Sequence, residues 1–484
     1  MTLLYALVVI GSVGLLAIYS LRAALLLSVF MLPWTGLDID IGLRLTTYQL
    51  VIMPIVVVAV LRLLQPGFTP PPIPAGGWFA VFMLYAVIWS LLQLGFIPQL
   101  KVGDSVLRSP SVRALLQIGV FLFAIVPVVL TPLAIDRADD ILRMGRLFIA
   151  SMVVLALIGW VQLAIWYVTG NNPIPIEAFG AAFGGLNADD RSGAFGVDAL
   201  YIYRMNSLAG EPRELAIGLV VALLLIQAHA LTAVRVPALR LATLWAFLFL
   251  SLLATFSTSG FVIFVIASLA TLPGCWLFRV AVRRSGRVMA LAASAVIAPF
   301  ALAITVIQSS GFDIIAVLAS RTIERLTSDG AVEDFDRAII AFFEVHPDSI
   351  IGGLGLGNVH LYAGAYLDPL FALYAEGNVF IGKTFYLRYI SEIGIIGFAL
   401  LIMWFAMLMI RTRIAVGERS DLAGVVPVAG TVLVAAMSTS LLTPAVYAVA
   451  GAMAAACVIA WRSAAAPKAP TRATATPTIM PAPA

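Results

Sequence analysis

Residues 386–410 read YLRYISEIGIIGFALLIMWFAMLMI. After Arg388 and Glu392, no charged side chain follows until Arg411. Such a run matches the ~20 apolar residues that cross a hydrocarbon core of ~30 Å. Backbone amides in lipid must be satisfied within the segment, so the run is expected to be a spanning helix. Working outward, similar runs fall near 3–21, 23–35, 45–64, 78–97, 112–132, 145–169, 213–233, 240–256, 259–279, 288–309, 423–441 and 443–461. The second is short and joins the first as a broken helix or a hairpin. The expected fold is all-α, a polytopic membrane protein of about 12–13 transmembrane helices.

Composition agrees. Of 484 residues, 62% are hydrophobic and 11% charged, and the mean hydropathy is +1.04. Soluble domains carry roughly 25% charged residues, so this chain cannot solvate a globular surface. The net charge of +4 is modest, and no nucleic-acid partner is expected. Cys275 and Cys457 lie in separate apolar runs, which makes neither a disulfide framework nor a metal knuckle. The first segment lacks a basic leader and a cleavage site, so it is expected to be retained as a span.

Basic residues near span ends set orientation. Arg137, Arg143 and Arg146 flank one short loop, and Arg235 and Arg240 a second. A third is flanked by Arg279, Arg283, Arg284 and Arg287, and a fourth by Arg411, Arg413 and Arg419. An even number of spans separates each loop from the next, so all four share the cytoplasmic side. The same parity puts residues 170–212 and 310–385 outside. The membrane domain then covers 1–462, with a cytoplasmic tail at 463–484 whose Ala/Pro/Thr composition suits disorder. The proline-rich Gln65–Gly77 reads as a stiff connector. No internal repeat is evident, which weakens a transporter reading.

Hydrocarbon excludes charge, so chemistry is expected where polar residues gather at a membrane surface. The first outer loop ends Tyr203-Arg204-Met205-Asn206-Ser207-Leu208-Ala209-Gly210-Glu211-Pro212-Arg213. The second carries Arg321, Arg325, Asp334, Asp336, Arg337, His346-Pro347 and the glycine-rich 352–358. Guanidinium groups fork onto phosphate oxygens and stay charged; the same arginines can instead pair with neighbouring Asp and Glu. The glycine run lacks the strand and Lys-Ser/Thr of a nucleotide loop, and suits a tight backbone path where the loop re-enters the protein. Asp334 and Asp336 are a weak metal pair, and no metal is assigned. His346 is a candidate base or a structural residue before Pro347. Arg388 and Glu392 form an i,i+4 pair at the outer end of their span, lining a polar cleft or satisfying only each other. Gly394-Ile395-Ile396-Gly397 after them lets another helix approach closely.

In order, four pieces resemble the O-antigen ligase and polymerase family. Arg204 with Gly210-Glu211-Pro212-Arg213 is similar to the family's segment opening a span. Thr255-Phe256-Ser257-Thr258-Ser259-Gly260 is similar to its turn between central spans. Arg337, His346-Pro347 and Gly353-x-Gly355-x-Gly357-Asn358 resemble its glycine loop, and Glu392-x-Gly394-x-x-Gly397 the motif closing it. The resemblance covers roughly residues 200–410. It implies an inverting, metal-independent transfer without cofactor from polyprenyl-diphosphate-linked oligosaccharides, on the outer face of a bacterial inner membrane. Arg204 and Arg337 are then the expected diphosphate ligands. Arg213 matches a less fixed position, and Arg321 neighbours the motif.

One departure matters. Ligases of this family carry a His-Asn/Ser pair nine residues before the Gly-x-x-Gly; here Lys383-Thr384 stand there. Lysine is a poor base at neutral pH unless its pKa falls, but it can hold a second phosphate. The expectation is therefore a polymerase extending a lipid-linked repeat, with Lys383 and Arg388 as further substrate contacts. A chain-length regulator is a possible protein partner. Glu211, His346 and Glu392 are the candidates for the general base. The alternatives are a ligase acting on lipid A-core or protein, and a transporter or lipid-glycan flippase.

Overall fold

The fold comes from a computed structural model that describes residues 2–40, 44–95, 110–170, 186–188, 195–197, 200–232, 237–279, 334–367, 382, 384–425, 428–437 and 443–465. It is 83% helical with almost no strands, and seven described helices are long and apolar enough to cross a membrane. The protein is an all-α, multi-pass membrane protein.

The helices are α1 (Thr2–Tyr19), α2 (Leu21–Met31), α3 (Thr47–Leu63), α4 (Gly76–Gln93), α5 (Pro110–Ile125), α6 (Pro127–Ala134), α7 (Ala138–Thr169) and α8 (Pro212–Thr232). Then follow α9 (Ala238–Ala254), α10 (Thr258–Leu277), α11 (Asp334–Val345), α12 (Ser349–Gly352), α13 (Val359–Ala363), α14 (Phe385–Glu418), α15 (Val428–Met437) and α16 (Thr443–Ala465). Every apolar run on described residues coincides with one helix or a consecutive pair; the run at 288–309 lies outside them. Helix α16 continues to Ala465, slightly into the stretch expected as a tail. The rest of that tail lies outside the described residues.

Ser20 separates α1 from α2, with extended backbone and its side chain accepting from the Ala23 amide. Arg62, near the end of α3, donates to the Ala17 and Ile18 carbonyls at the end of α1. At the other end, Ala6 packs with Leu37 and with Leu50 near the start of α3. Helices α1 and α3 therefore run in the same direction, and α2 must return between them. The first two runs form a hairpin.

Helix α2 lies along α7. Arg22 pairs with the fully buried Asp140 in the first turn of α7, Arg143 stands 3.6 Å from the same carboxylate, and Ser151 donates to the Phe30 carbonyl at 2.6 Å. An acidic group suits that position because the helix N-terminus carries partial positive charge.

Helix α16 sits deepest; residues 445–460 are almost entirely buried, and many are alanine. Small side chains let backbones approach without a hydrophobic driving force. A Cβ on Gly451 would overlap the Pro127 carbonyl of α6.

Short strands lie on the connecting segments. Strand β1 (Leu37–Asp40) pairs antiparallel with both β2 (Arg44–Thr46) and β3 (Leu186–Ala188), and β4 (Phe195–Val197) with β5 (Leu200–Ile202). The β1–β3 register pairs Leu37–Ile39 with Leu186–Ala188 of the first outer loop.

Candidate functional site

Helix α14 is broken near its start. Gly394 takes φ 70°, ψ 178°, outside any helical region. A side chain there would overlap the Ile351 carbonyl and the Gly352–Gly353 peptide, so only glycine fits. The carbonyls just before the break turn to the glycine loop instead of their own helix. Ser391 O accepts from the Leu354 amide at 2.9 Å, and Glu392 O from the Gly355 amide at 2.7 Å.

The loop reaches this position through three left-handed glycines, Gly353, Gly355 and Gly357, at φ 77°, 87° and 73°. Their missing side chains admit the Gly394 amide, the Asn358 amide and Gln117 of α5. Helix α4 holds the opposite side. Trp89 Nε1 donates to the Gly353 carbonyl at 3.1 Å, and the Leu356 amide donates to Ser90 Oγ at 3.0 Å. Asn358, fully buried, donates back to the Leu354 carbonyl at 3.0 Å.

Glu392 joins both parts. Its Oε1 accepts from the Gly357 amide at 3.4 Å, and its Oε2 lies 3.6 Å from Arg388 Nε. Their side chains are only 3% and 15% exposed. A carboxylate and a guanidinium this buried require each other, because an unpaired charge in such surroundings is costly. One turn away, the buried Tyr389 and Tyr447 hydroxyls hydrogen-bond to each other, tying α14 to α16.

A second docking point involves Arg204. Its Nε donates to the Thr255 carbonyl at 3.2 Å, and the next amide, Met205, donates to the Ala254 carbonyl at 3.1 Å. These carbonyls end α9, where Phe256 turns the chain at φ 46°. Ser257 then caps α10 by accepting from the Gly260 amide at 3.4 Å. Glu211 and Arg213 flank Pro212 at the start of α8, half-buried and already engaged with partners.

The predicted residues thus fall into groups. Arg388 and Glu392 meet the glycine loop, and Arg204 meets the central turn. Arg337 and His346 lie apart on the surface of a small unit formed by α11 to α13. Its core is Ile339, Phe342, Leu354 and Val359. Arg337 is exposed and makes no ion pair among the described residues. His346 is exposed, with its ring 4.8 Å from Phe342. Nearby, burial pushes the Tyr362 phenol up from its ordinary pKa. Arg321 and Lys383 lie outside the described residues.

Several participants escaped sequence reasoning. Trp89, Ser90, Gln117, Tyr389 and Tyr447 lie in apolar spans and belong to none of the motifs. The one available signal was polar atoms inside otherwise apolar helices. Chemically, the arrangement offers a glycine-rich backbone ledge held rigidly on the Glu392–Gly394 break, with the Arg388 guanidinium paired to Glu392 beside it, and a second guanidinium, Arg204, at the Thr255 turn. No protein-family model matches the chain, and no curated protein matches it in sequence.

Proposed function

We propose that this protein is a membrane glycan polymerase. It moves a growing glycan from polyprenyl diphosphate onto another lipid-linked repeat unit at the outer face of the bacterial inner membrane. One observation carries the proposal. The four short motifs that resemble the ligase and polymerase family dock in pairs, Arg204 on the Thr255 turn and the glycine loop on the Glu392–Gly394 break. Each pair is distant in sequence.

In the transfer, an acceptor hydroxyl oxygen bonds to the donor sugar's anomeric carbon as the bond to the phosphate oxygen breaks. Negative charge grows on the departing diphosphate, so arginines that tighten on it stabilise the transition state more than the ground state. Arg204 and Arg337 are assigned to that role, with Arg213 and Arg321 beside them. The acceptor's proton goes to a protein base. Both oxygens of Glu392 already face donors, so we assign Glu392 to holding the loop. Glu211 and His346 are left as candidates for the base. Lys383 and Arg388 are assigned to the acceptor's diphosphate.

The test is a gel of products from purified protein and its cognate polyprenyl-diphosphate-linked repeat, with EDTA present. The expected result is a ladder from the wild type and none from Arg204→Ala or Arg337→Ala. Attachment in one step without chain growth would point to a ligase. No elongation by intact protein would overturn the polymerase reading, leaving ligase and transporter to be separated next.

A further inference from the structure

Gln162 lies in α7, within a membrane span, and is completely buried. A primary amide is costly there unless each of its polar atoms is matched. All are matched, and every partner flanks Arg204. Gln162 Nε2 donates to the Tyr203 hydroxyl at 2.9 Å and to Asn206 Oδ1 at 2.7 Å. Its Oε1 accepts from the Ser207 amide at 2.9 Å.

The flanks are fixed further. The Tyr203 ring stacks on Trp166 with centroids 4.6 Å apart. Asn206 donates to the Gly210 carbonyl at 3.1 Å. Ser207, at the unusual φ of 52°, donates to the Leu155 carbonyl of α7 at 2.7 Å. Together with the Met205 amide on Ala254, residues 203 and 205–207 are all tied down. Arg204 stands between them, half-buried, its guanidinium plane set by Nε on the Thr255 carbonyl.

We infer that Gln162 is the positioning residue that aims Arg204 at the donor's diphosphate, which rests on the glycan-transfer proposal above. Gln162 touches no substrate. It fixes the backbone from which the guanidinium projects, and small misplacements of a charge-stabilising group are expensive. A network whose members are all satisfied in a low-dielectric interior is well suited to that task.

The experiment is a kinetic cycle on the purified full-length protein with wild type, Gln162→Met, Arg204→Ala and the double variant. It is paired with binding of polyprenyl diphosphate in detergent. Gln162→Met should lower kcat/KM for the donor, and weaken polyprenyl diphosphate binding, by about tenfold, the scale of disturbing buried hydrogen bonds. The acceptor KM should not move, whereas a general structural fault would shift both. In polyprenyl diphosphate binding, which stays measurable where elongation is abolished, the double variant should bind no more weakly than Arg204→Ala, because a residue acting through Arg204 has nothing left to act on.

Tyr203→Phe removes one partner while keeping the ring stack, so it serves if Gln162→Met does not fold. It should show the same pattern at roughly two- to threefold. Additive losses in the double variant, an equal shift in acceptor KM, or wild-type behaviour of both variants would overturn the role of Gln162. A wild type that neither elongates glycan nor binds polyprenyl diphosphate would instead overturn glycan transfer, and this inference with it.

Discussion

Replacing Gly394 with alanine tests the junction on which the glycine loop depends. At φ 70° and ψ 178° the backbone lies in a region open essentially to glycine alone, and holding another residue there costs about 1–3 kcal/mol. The added methyl would also overlap the Ile351 carbonyl and the peptide after Gly352. Relief requires the loop to move off α14, loosening Leu354 N to Ser391 O and Gly355 N to Glu392 O. Each such bond contributes about 1 kcal/mol net. The expected destabilisation is therefore about 2–4 kcal/mol. Gly119 in α5 is the control: nothing lies within 4 Å of a Cβ built there, so Gly119→Ala should stabilise by about 0.5–1 kcal/mol. Thermal unfolding in detergent reads both signs, and hydrogen exchange at the 354, 355 and 357 amides reports loop release. A Gly394→Ala protein with wild-type unfolding and wild-type exchange would refute the account of the break.

Glu392→Ala should destabilise by about 3–5 kcal/mol by stranding Arg388 in the interior, and Arg388→Met with Glu392→Leu should cost less than that single change. Melting of the variants decides this, and a double change costing more than Glu392→Ala would contradict it. Arg337→Ala should abolish polymer yet leave stability within about 0.5 kcal/mol, because the side chain is exposed. A lowered melting temperature that matches the lost activity would argue against a substrate role. Arg419 hydrogen-bonds Asp421 and holds its carboxyl below the usual range. That contribution is present above about pH 4, the unfolded value, and is lost as pH falls through the lower folded value. The melting difference between wild type and Asp421→Asn should therefore shrink on acidification, and a difference growing toward acid would reverse the sign.

Most of the membrane fold was legible because hydrocarbon enforces long apolar runs; the helix from Phe385 onward follows directly from its missing charges. The hairpin of α1 and α2 was not decidable, because its direction depends on Arg62 reaching Ala17 and Ile18 from another helix. Gly394 and Gly397 were readable as points of close approach, but not who approaches. Gly394 admits the glycine loop, whereas Gly397 faces Tyr85 of α4 and its own Ile393. Arg388 and Glu392 were readable as an i,i+4 pair, but their burial depends on a loop some 35 residues upstream folding back over them. Gln162 gave only the weak signal of an amide among apolar residues.

The pairing of Arg22 with Asp140 bears on how the chain is made. Helix α2 has 11 residues, about 16 Å of helix against a core of ~30 Å. Its one charged residue, Arg22, stands at the first turn of the helix and pairs with Asp140 of α7. Its counter-charge emerges from the ribosome roughly 120 residues later, on the order of 10 s at ordinary synthesis rates. Helix α2 thus has poor reason to settle when first made and a good one once α7 arrives. The short α2 gains its buried counter-charge and its Phe30–Ser151 bond only once the seventh helix has been made.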